Sequence, residues 1–315
     1  MAWLRLIRWQ NLLIIFLTQF LAWGCIVLPE NPKILTFPYF LLLAVSTMLI
    51  AAAGYIINDY FDIKIDSINH PEKVILEKVI PRKQAIISHT VLNIAALILA
   101  GIVAVKAHHP EWLLFQVSCT LLLWFYSTDF KRQYVTGNLV VALLTSFTIL
   151  ALILYEPVMQ HKIMVGAFGE TSLDYLTINP IYILLTYAFF AFILTWMREI
   201  VKDMEDLIGD TAERCATMPI KWGTAGTIRF TRILGFIAAG LLTFCGAFLF
   251  LTGNLLLGTY VITLIVLPLL ALIVYLGKKI TPAHFHRMSS WLKLLMLSGV
   301  VSLIVYHYVL WARSF

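Results

Sequence analysis

Apolar residues along this chain fall into long unbroken blocks separated by short polar stretches. Nine blocks approach the roughly 20 apolar residues that cross a bilayer. They cover 10–28, 38–57, 85–105, 112–127, 138–155, 181–200, 230–252, 255–276 and 291–312. Each predicts a membrane-spanning helix, the seventh and eighth joined only through Gly253 and Asn254. The longest polar connections are 58–84, 156–180 and 201–229. The 156–180 stretch carries no readable motif and is expected to be a plain connector.

Charge then orients the spans. The N-terminal stretch and the even-numbered connections hold 19 of the 23 Lys and Arg residues, leaving Lys33, Lys106, Lys162 and Arg313 for the other side. The positive-inside rule puts the N-terminus in the cytoplasm and the C-terminus outside. This alternation works only if the span count is right, and so independently supports nine. Arg5 and Arg8 before the first block resemble a signal peptide, but no small-residue cleavage site follows, so an uncleaved first span is expected.

Composition agrees. The 315 residues are 61% hydrophobic and 13% charged, against about 45–50% and about 25% in soluble domains. The net charge of +6 follows from the loop asymmetry and gives no reason to invoke nucleic acid. Cys25, Cys119, Cys215 and Cys245 form no CxxC pair and read as small apolar residues, not as a zinc site or disulfide framework. The expected fold is all-α: one transmembrane domain over 1–315, with about nine helices around a central cavity.

Two acidic motifs carry the chemistry. Residues 58–66 read Asn-Asp-Tyr-Phe-Asp-Ile-Lys-Ile-Asp, with carboxylates at Asp59, Asp62 and Asp66. Residues 203–210 repeat the spacing with Asp203, Asp206 and Asp210. On a helix, positions i, i+3 and i+7 fall within about 60° of one face. Like charges so arranged repel. A divalent cation reverses that sign, and hard carboxylate oxygens suit Mg²⁺ held together with phosphate groups. Each motif ends an apolar block on the same side of the membrane. Nearby cations able to grip phosphate oxygens are Lys73, Arg82, Lys131, Arg132, Arg198 and Lys202, and of these Lys131, Arg198 and Lys202 are favoured.

These motifs resemble the UbiA-type intramembrane prenyltransferase superfamily. The first matches its N-D-x-x-D-x-x-x-D pattern in full. The second is followed by a Thr-x-Pro-Ile segment at Thr217, Pro219 and Ile220, while Tyr126, Lys131 and Gly137-Asn138 look like the central loop. The wording of both motifs is most similar to the geranylgeranylglyceryl phosphate geranylgeranyltransferases. The chain departs from the pattern at His70-Pro71, near Lys78 and at Glu213.

The resemblance implies Mg²⁺-dependent transfer of a polyprenyl group from its diphosphate to a lipid or aromatic acceptor, the lipid being a geranylgeranylglyceryl phosphate type. It implies a metal set of Asp59, Asp62, Asp66, Asp203, Asp206 and Asp210, with Asp66 and Asp210 as outer members. Asp59, Asp62, Asp203, Asp206, Lys131 and Arg198 would act directly in catalysis, and Asn58, Lys73, Tyr126 and Lys202 would contact the diphosphate. Tyr60, Phe61 and Trp124 are candidates to line the prenyl tunnel. The expected partners are the donor, the acceptor and membrane lipids, with the site on the cytoplasmic face of the plasma membrane. Competing readings are an ion transporter with acids along its pathway, an alcohol phosphotransferase, whose D-G…A-R signature is absent here, and a terpene cyclase with the same metal site.

Overall fold

The computed structural model describes residues 1–72, 74–161 and 179–313. Helices dominate, and the only strand-like pairing among the described residues is a single bridge between Leu76 and Ile80. A short helix α1 (Ala2–Leu6) precedes α2 (Trp9–Ala22), which continues through a π-turn at Trp23–Val27 to Glu30. Then follow α3 (Phe37–Asn69), α4 (Arg82–Lys106), α5 (Leu113–Thr128) and α6 (Thr136–Leu154). Beyond the undescribed stretch come α7 (Pro180–Glu205), α8 (Leu207–Ala212) and α9 (Met218–Leu251). The chain closes with α10 (Leu255–Tyr260), a π-turn at Val261–Val266, α11 (Leu267–Tyr275) and α12 (Pro282–Arg313).

Eight of these helical runs are long and apolar enough to cross a membrane. The expected fourth span is α5, whose 16 residues reach about 24 Å at 1.5 Å per residue. The protein is thus an integral membrane protein with an all-helical fold close to the expected count. Several helices outrun the apolar blocks that announced them: α3 continues twelve residues past the second block, to Asn69, and α9 and α12 begin at Met218 and Pro282. A helix needs no apolar residues once it leaves the hydrocarbon, so block lengths underestimate it.

Proline within the first turn starts α3, α7 and α9, where a missing N–H costs nothing. Asn179 caps α7, its Oδ1 accepting from the Ile181 N–H at 3.1 Å. Gly223, at φ +70°, kinks α9 near its start, and Gly253, at φ +75°, turns the α9–α10 hairpin.

α3 packs on α4, and α6 and α12 pack on α7. One apolar core joins α7 to α9 and the helices after it, and a second joins α2, α3, α6 and α7. At one end of the bundle, buried Glu156 accepts from the backbone N–H groups of Lys33, Ile34 and Leu35 at 2.9–3.0 Å. The connector that seemed featureless therefore opens on a buried carboxylate, while 162–178 lie outside the described residues. Both acidic motifs sit at the opposite end. Cys25, Cys119 and Cys215 are buried and Cys245 half-buried, all as free thiols.

Candidate active site

Because α3 stays helical to Asn69, Asp59, Asp62 and Asp66 share its length as the spacing requires. Asp59 Oδ1 accepts from Arg8 Nη2 at 2.8 Å. Arg8 occupies the break between α1 and α2 in a left-handed conformation, φ 50°, and its guanidinium also lies 4.9 Å from the Tyr55 ring centroid. Asp62 is 4% exposed. Its Oδ2 accepts from Asn58 Nδ2 at 2.6 Å and from Lys131 Nζ.

Lys131 comes from the short turn Phe130–Arg132 between α5 and α6. Gly137 makes this position possible: a Cβ there would stand 2.7 Å from the Phe130 carbonyl oxygen and 2.9 Å from the Lys131 Cα. Burial alone would lower the Lys131 ammonium, but Asp62, Tyr126 and Asp66 hold it charged, above the ordinary lysine range. Tyr126 stands within electrostatic reach of Lys131, Glu199, Asp62 and Asp203.

The second motif is not one continuous helix, contrary to what its spacing implies. α7 ends at Glu205, Asp206 takes a non-helical turn (φ −89°, ψ 6°), and α8 resumes with Asp210 in its first turn. The break lets a second chain segment enter. Asn69, the last residue of α3, donates from Nδ2 to the Asp206 carbonyl at 3.0 Å and accepts at Oδ1 from the Gly209 N–H at 2.8 Å. Asp203 accepts from Asn138 Nδ2 at 2.8 Å. Burial pushes Asp210 up to about 6; Lys131 opposes this, and Asp206 and Asp62 add to it. Burial would raise Asp206 also, but His70, Lys202 and Lys131 bring it below its usual value. Asp210 responding to Asp62, and Asp206 to Lys131, means that the two motifs share one electrostatic neighbourhood.

Three features around this site were not anticipated. Glu199, 7% exposed, accepts from Arg198 Nη1 at 2.9 Å and from Lys202 Nζ at 3.0 Å. The two favoured cations of α7 are thus tied first to an unforeseen carboxylate, although Lys202 also acts on Asp203 and Asp206. His70 Nε2 lies 3.3 Å from Asp206 Oδ1 and 3.6 Å from Glu205 Oε1, and His286 Nδ1 reaches Glu205 Oε1 at 2.8 Å. The segment after α3 also folds back, so that Val74, Ile75 and Leu76 close a small recess over Asp59 and Asp66. Phe61 and Trp124 meet edge to face at 6.0 Å. Lys73 lies outside the described residues.

The donor set is oxygen-rich and free of sulfur, with several carboxylates around one lysine. That chemistry fits Mg²⁺, which takes carboxylate and phosphate oxygens, far better than it fits a thiolate-seeking ion.

Spanning helices that converge at one end on two aspartate motifs define an intramembrane protein with a buried cluster of carboxylates. The chain belongs to the UbiA prenyltransferase family, whose profile matches residues 17–294. A digeranylgeranylglyceryl phosphate synthase from Methanosphaera stadtmanae is 33% identical over 203 residues, 64% of this chain and 65% of that protein. The chain therefore aligns with slightly under two thirds of that relative's length. A solved structure of digeranylgeranylglyceryl phosphate synthase superposes with TM-score 0.65 and 22% identity, covering 97% of each chain. A UbiA homologue from Archaeoglobus fulgidus, solved with DMAPP and Mg²⁺, gives TM-score 0.58 at 17% identity, covering 96% of this chain and 99% of that one. At these identities the two structures speak for the fold.

Proposed function

We propose that this protein is a Mg²⁺-dependent prenyltransferase that moves a polyprenyl group from its diphosphate to a hydroxyl of a phosphorylated glyceryl ether lipid. The observation that carries the reading is the position of Lys131, which answers to Asp62 and Asp66 of the first motif and acts on Asp206 and Asp210 of the second. A cation between two carboxylate clusters suits a polyanion bridged by metal. The relative's name supports the glyceryl phosphate acceptor, and the DMAPP and Mg²⁺ of the Archaeoglobus homologue support the donor and the ion.

In this reading Asp59, Asp62, Asp203 and Asp206 hold Mg²⁺, with Asp66 and Asp210 as outer members. Bound there, Mg²⁺ would neutralise the diphosphate and make it a better leaving group. Lys131 and Lys202 grip diphosphate oxygens, while Asn58 and Asn138 fix the carboxylates that they bond. Lys73 and Tyr126 are the remaining candidates on the diphosphate side. The allylic C–O bond breaks, diphosphate departs with the pair of electrons, and the acceptor oxygen bonds the allylic carbon as its proton passes to the departing diphosphate. Phe61 and Trp124 flank the apolar approach to the site. The whole chain acts as one transmembrane prenyltransferase domain. The basic bias of the loops supports a cytoplasmic site, with the N-terminus inside and the C-terminus outside the plasma membrane.

The test is product analysis. Purified protein is given geranylgeranyl diphosphate, Mg²⁺ and a mixture of phosphorylated glyceryl ethers and aromatic acids. Mass spectrometry is expected to find the glyceryl ether prenylated and nothing formed in excess chelator. Prenylation of the aromatic acids alone would overturn the acceptor reading, and full activity without metal would overturn the mechanism.

A further inference from the structure

The helix break inside the second motif gathers side chains that the proposed reaction does not use. His70 caps the end of α3, Glu205 is the last residue of α7, and His286 stands in the first turns of α12. His70 Nε2 lies 3.6 Å from Glu205 Oε1 and 3.3 Å from Asp206 Oδ1. One ligand atom from each of these three residues falls within 4.8 Å of the other two. His286 Nδ1 meets the same Glu205 oxygen at 2.8 Å. Two imidazoles from distant parts of the chain thus converge on one carboxylate oxygen, with a second carboxylate beside it.

Hydrogen bonding does not account for the His70 contacts. N–H···O bonds run to about 3.2 Å, and both contacts are longer. They match the spacing of two ligands on one ion, since bonds of about 2.0–2.2 Å to a tetrahedral zinc place ligand atoms 3.3–3.6 Å apart. Asp206 Oδ1 is buried and makes no hydrogen bond, so it keeps lone pairs to give. The Glu205 side chain is only 8% exposed, and a buried carboxylate calls for a cation. The scaffold is held without any ion: Asn69, next to His70, is bonded to the Asp206 carbonyl and the Gly209 N–H. Glu72 Oε1 lies 3.9 Å from His70 Nδ1, on the side from which a carboxylate orients a ligating imidazole.

Nitrogen sets this cluster apart from the aspartate centre. Imidazole suits Zn²⁺ and neighbouring first-row ions, whereas Mg²⁺ takes oxygen. Two histidines with a carboxylate are a recurrent zinc set. His70 is also a position at which the chain departs from the family pattern, so the cluster is not part of that pattern's metal set. We infer that His70, Glu205 and His286, with Asp206, bind a transition-metal ion of the Zn²⁺ class at a site beside the Mg²⁺ centre. The ion ties the ends of α3 and α7 to the start of α12, and Asp206, having two oxygens, adjoins both sites. The inference stands on these side chains and not on the identity of the prenyl acceptor.

The test uses full-length protein in detergent, stripped of metal and then held in excess Mg²⁺. Zn²⁺ is titrated against a chromophoric chelator, and Tm is recorded with and without it. One Zn²⁺ per chain is expected, with a rise in Tm, because an ion that binds only the folded state stabilises it. His70→Ala and His286→Ala are each expected to weaken Zn²⁺ binding by about tenfold or more and to lose the rise in Tm. Without Zn²⁺, His286→Ala should keep a Tm close to that of wild type, because its side chain is 59% exposed. His286→Cys exchanges one zinc ligand for another and should retain most of the affinity. Asp59→Asn should bind Zn²⁺ as wild type does. Co²⁺ in place of Zn²⁺ should give wild type the visible absorption of a four-coordinate site with nitrogen ligands, and His286→Ala should lose it. Zn²⁺ affinity unchanged in both histidine variants, or lowered by Asp59→Asn as much as by His286→Ala, would put the ion in the aspartate centre and overturn the inference.

Discussion

Asn69 clasps Gly209 across 140 residues of sequence: its side-chain oxygen takes the Gly209 N–H at 2.8 Å while its amide nitrogen bonds the Asp206 carbonyl at 3.0 Å. One side chain at the end of α3 thereby supplies both partners to the helix break inside the second motif. The clasp links the two aspartate motifs by hydrogen bonds to backbone, independently of the charges they carry.

Asn69→Ala should therefore separate the motifs without removing a single carboxylate. The partly buried Gly209 N–H loses its partner, at about 1–3 kcal/mol, while the Asp206 carbonyl keeps the Asp210 N–H at 3.1 Å. Gly209→Ala should act alike, because a Cβ there would stand 2.5 Å from Asn69 Nδ2. Both variants are expected to insert normally, to lower the apparent Tm in detergent and to lose at least tenfold in transfer rate. A wild-type rate in either would mean that the clasp does not position the site.

The metal set gives a sharper outcome. Asp59→Asn and Asp203→Asn each replace a carboxylate by a neutral amide of the same shape. Transfer should vanish in both; thermal stability should hold or rise in Asp203→Asn, whose bonded partner Asn138 is neutral, and should fall in Asp59→Asn, which takes the charged partner from Arg8. Isothermal titration should register Mg²⁺ and diphosphate binding together in wild type and neither in the variants. Retained transfer in both variants would dismantle the metal role.

The pair of Lys131 and Asp62 separates folding from chemistry. Lys131→Met strands a carboxylate that is 4% exposed, and breaking such a buried pair costs about 3–5 kcal/mol. Combining it with Asp62→Asn removes the stranded charge, so stability should recover in the double variant and the coupling should appear in a double-mutant cycle. Activity should stay lost in all three. Recovery of activity together with stability would show that Lys131 serves only the fold.

The sequence disclosed this architecture unevenly, for physical reasons. Apolar blocks announce spans because lipid contact leaves a compositional trace, and the aspartate spacing was legible because helix geometry is local. The partners of those aspartates were not. Arg8 looked like one more basic residue obeying the loop asymmetry, yet it pairs with Asp59. Glu199 and Asn69 carried no motif, and their importance lies in contacts that only the fold creates. Asp206 was expected on a helix face, and nothing local in Glu205-Asp206-Leu207 foretold the break that admits Asn69. Lys131 was one of several favoured cations, and only the resemblance of Tyr126 and Lys131 to the family's central loop set it apart from the basic residues that the loop asymmetry explains.

The opposite end of the bundle offers the converse test, a polar residue that should matter to the fold and not to the reaction. Glu156 is fully buried, and its two oxygens accept from four backbone N–H groups, those of Lys33, Ile34, Leu35 and Val158. It ties the turn between α2 and α3 to the end of α6, where Trp23 Nε1 and the Tyr155 hydroxyl add bonds to the Leu35 and Trp112 carbonyls. Hydrogen bonds to a charged acceptor contribute about 1.5–3 kcal/mol each, and the one to the Leu35 N–H is fully buried. Glu156→Ala should thus lower the apparent Tm by several degrees or more, with Glu156→Gln intermediate because an amide keeps only one accepting oxygen. Since this network lies at the far end from Asp59 and Asp203, the transfer rate per folded molecule should stay within twofold of wild type at a temperature where both are folded. A large loss of rate with unchanged stability would mean that the two ends of the bundle communicate, and that the remote carboxylate belongs to the working parts of the protein.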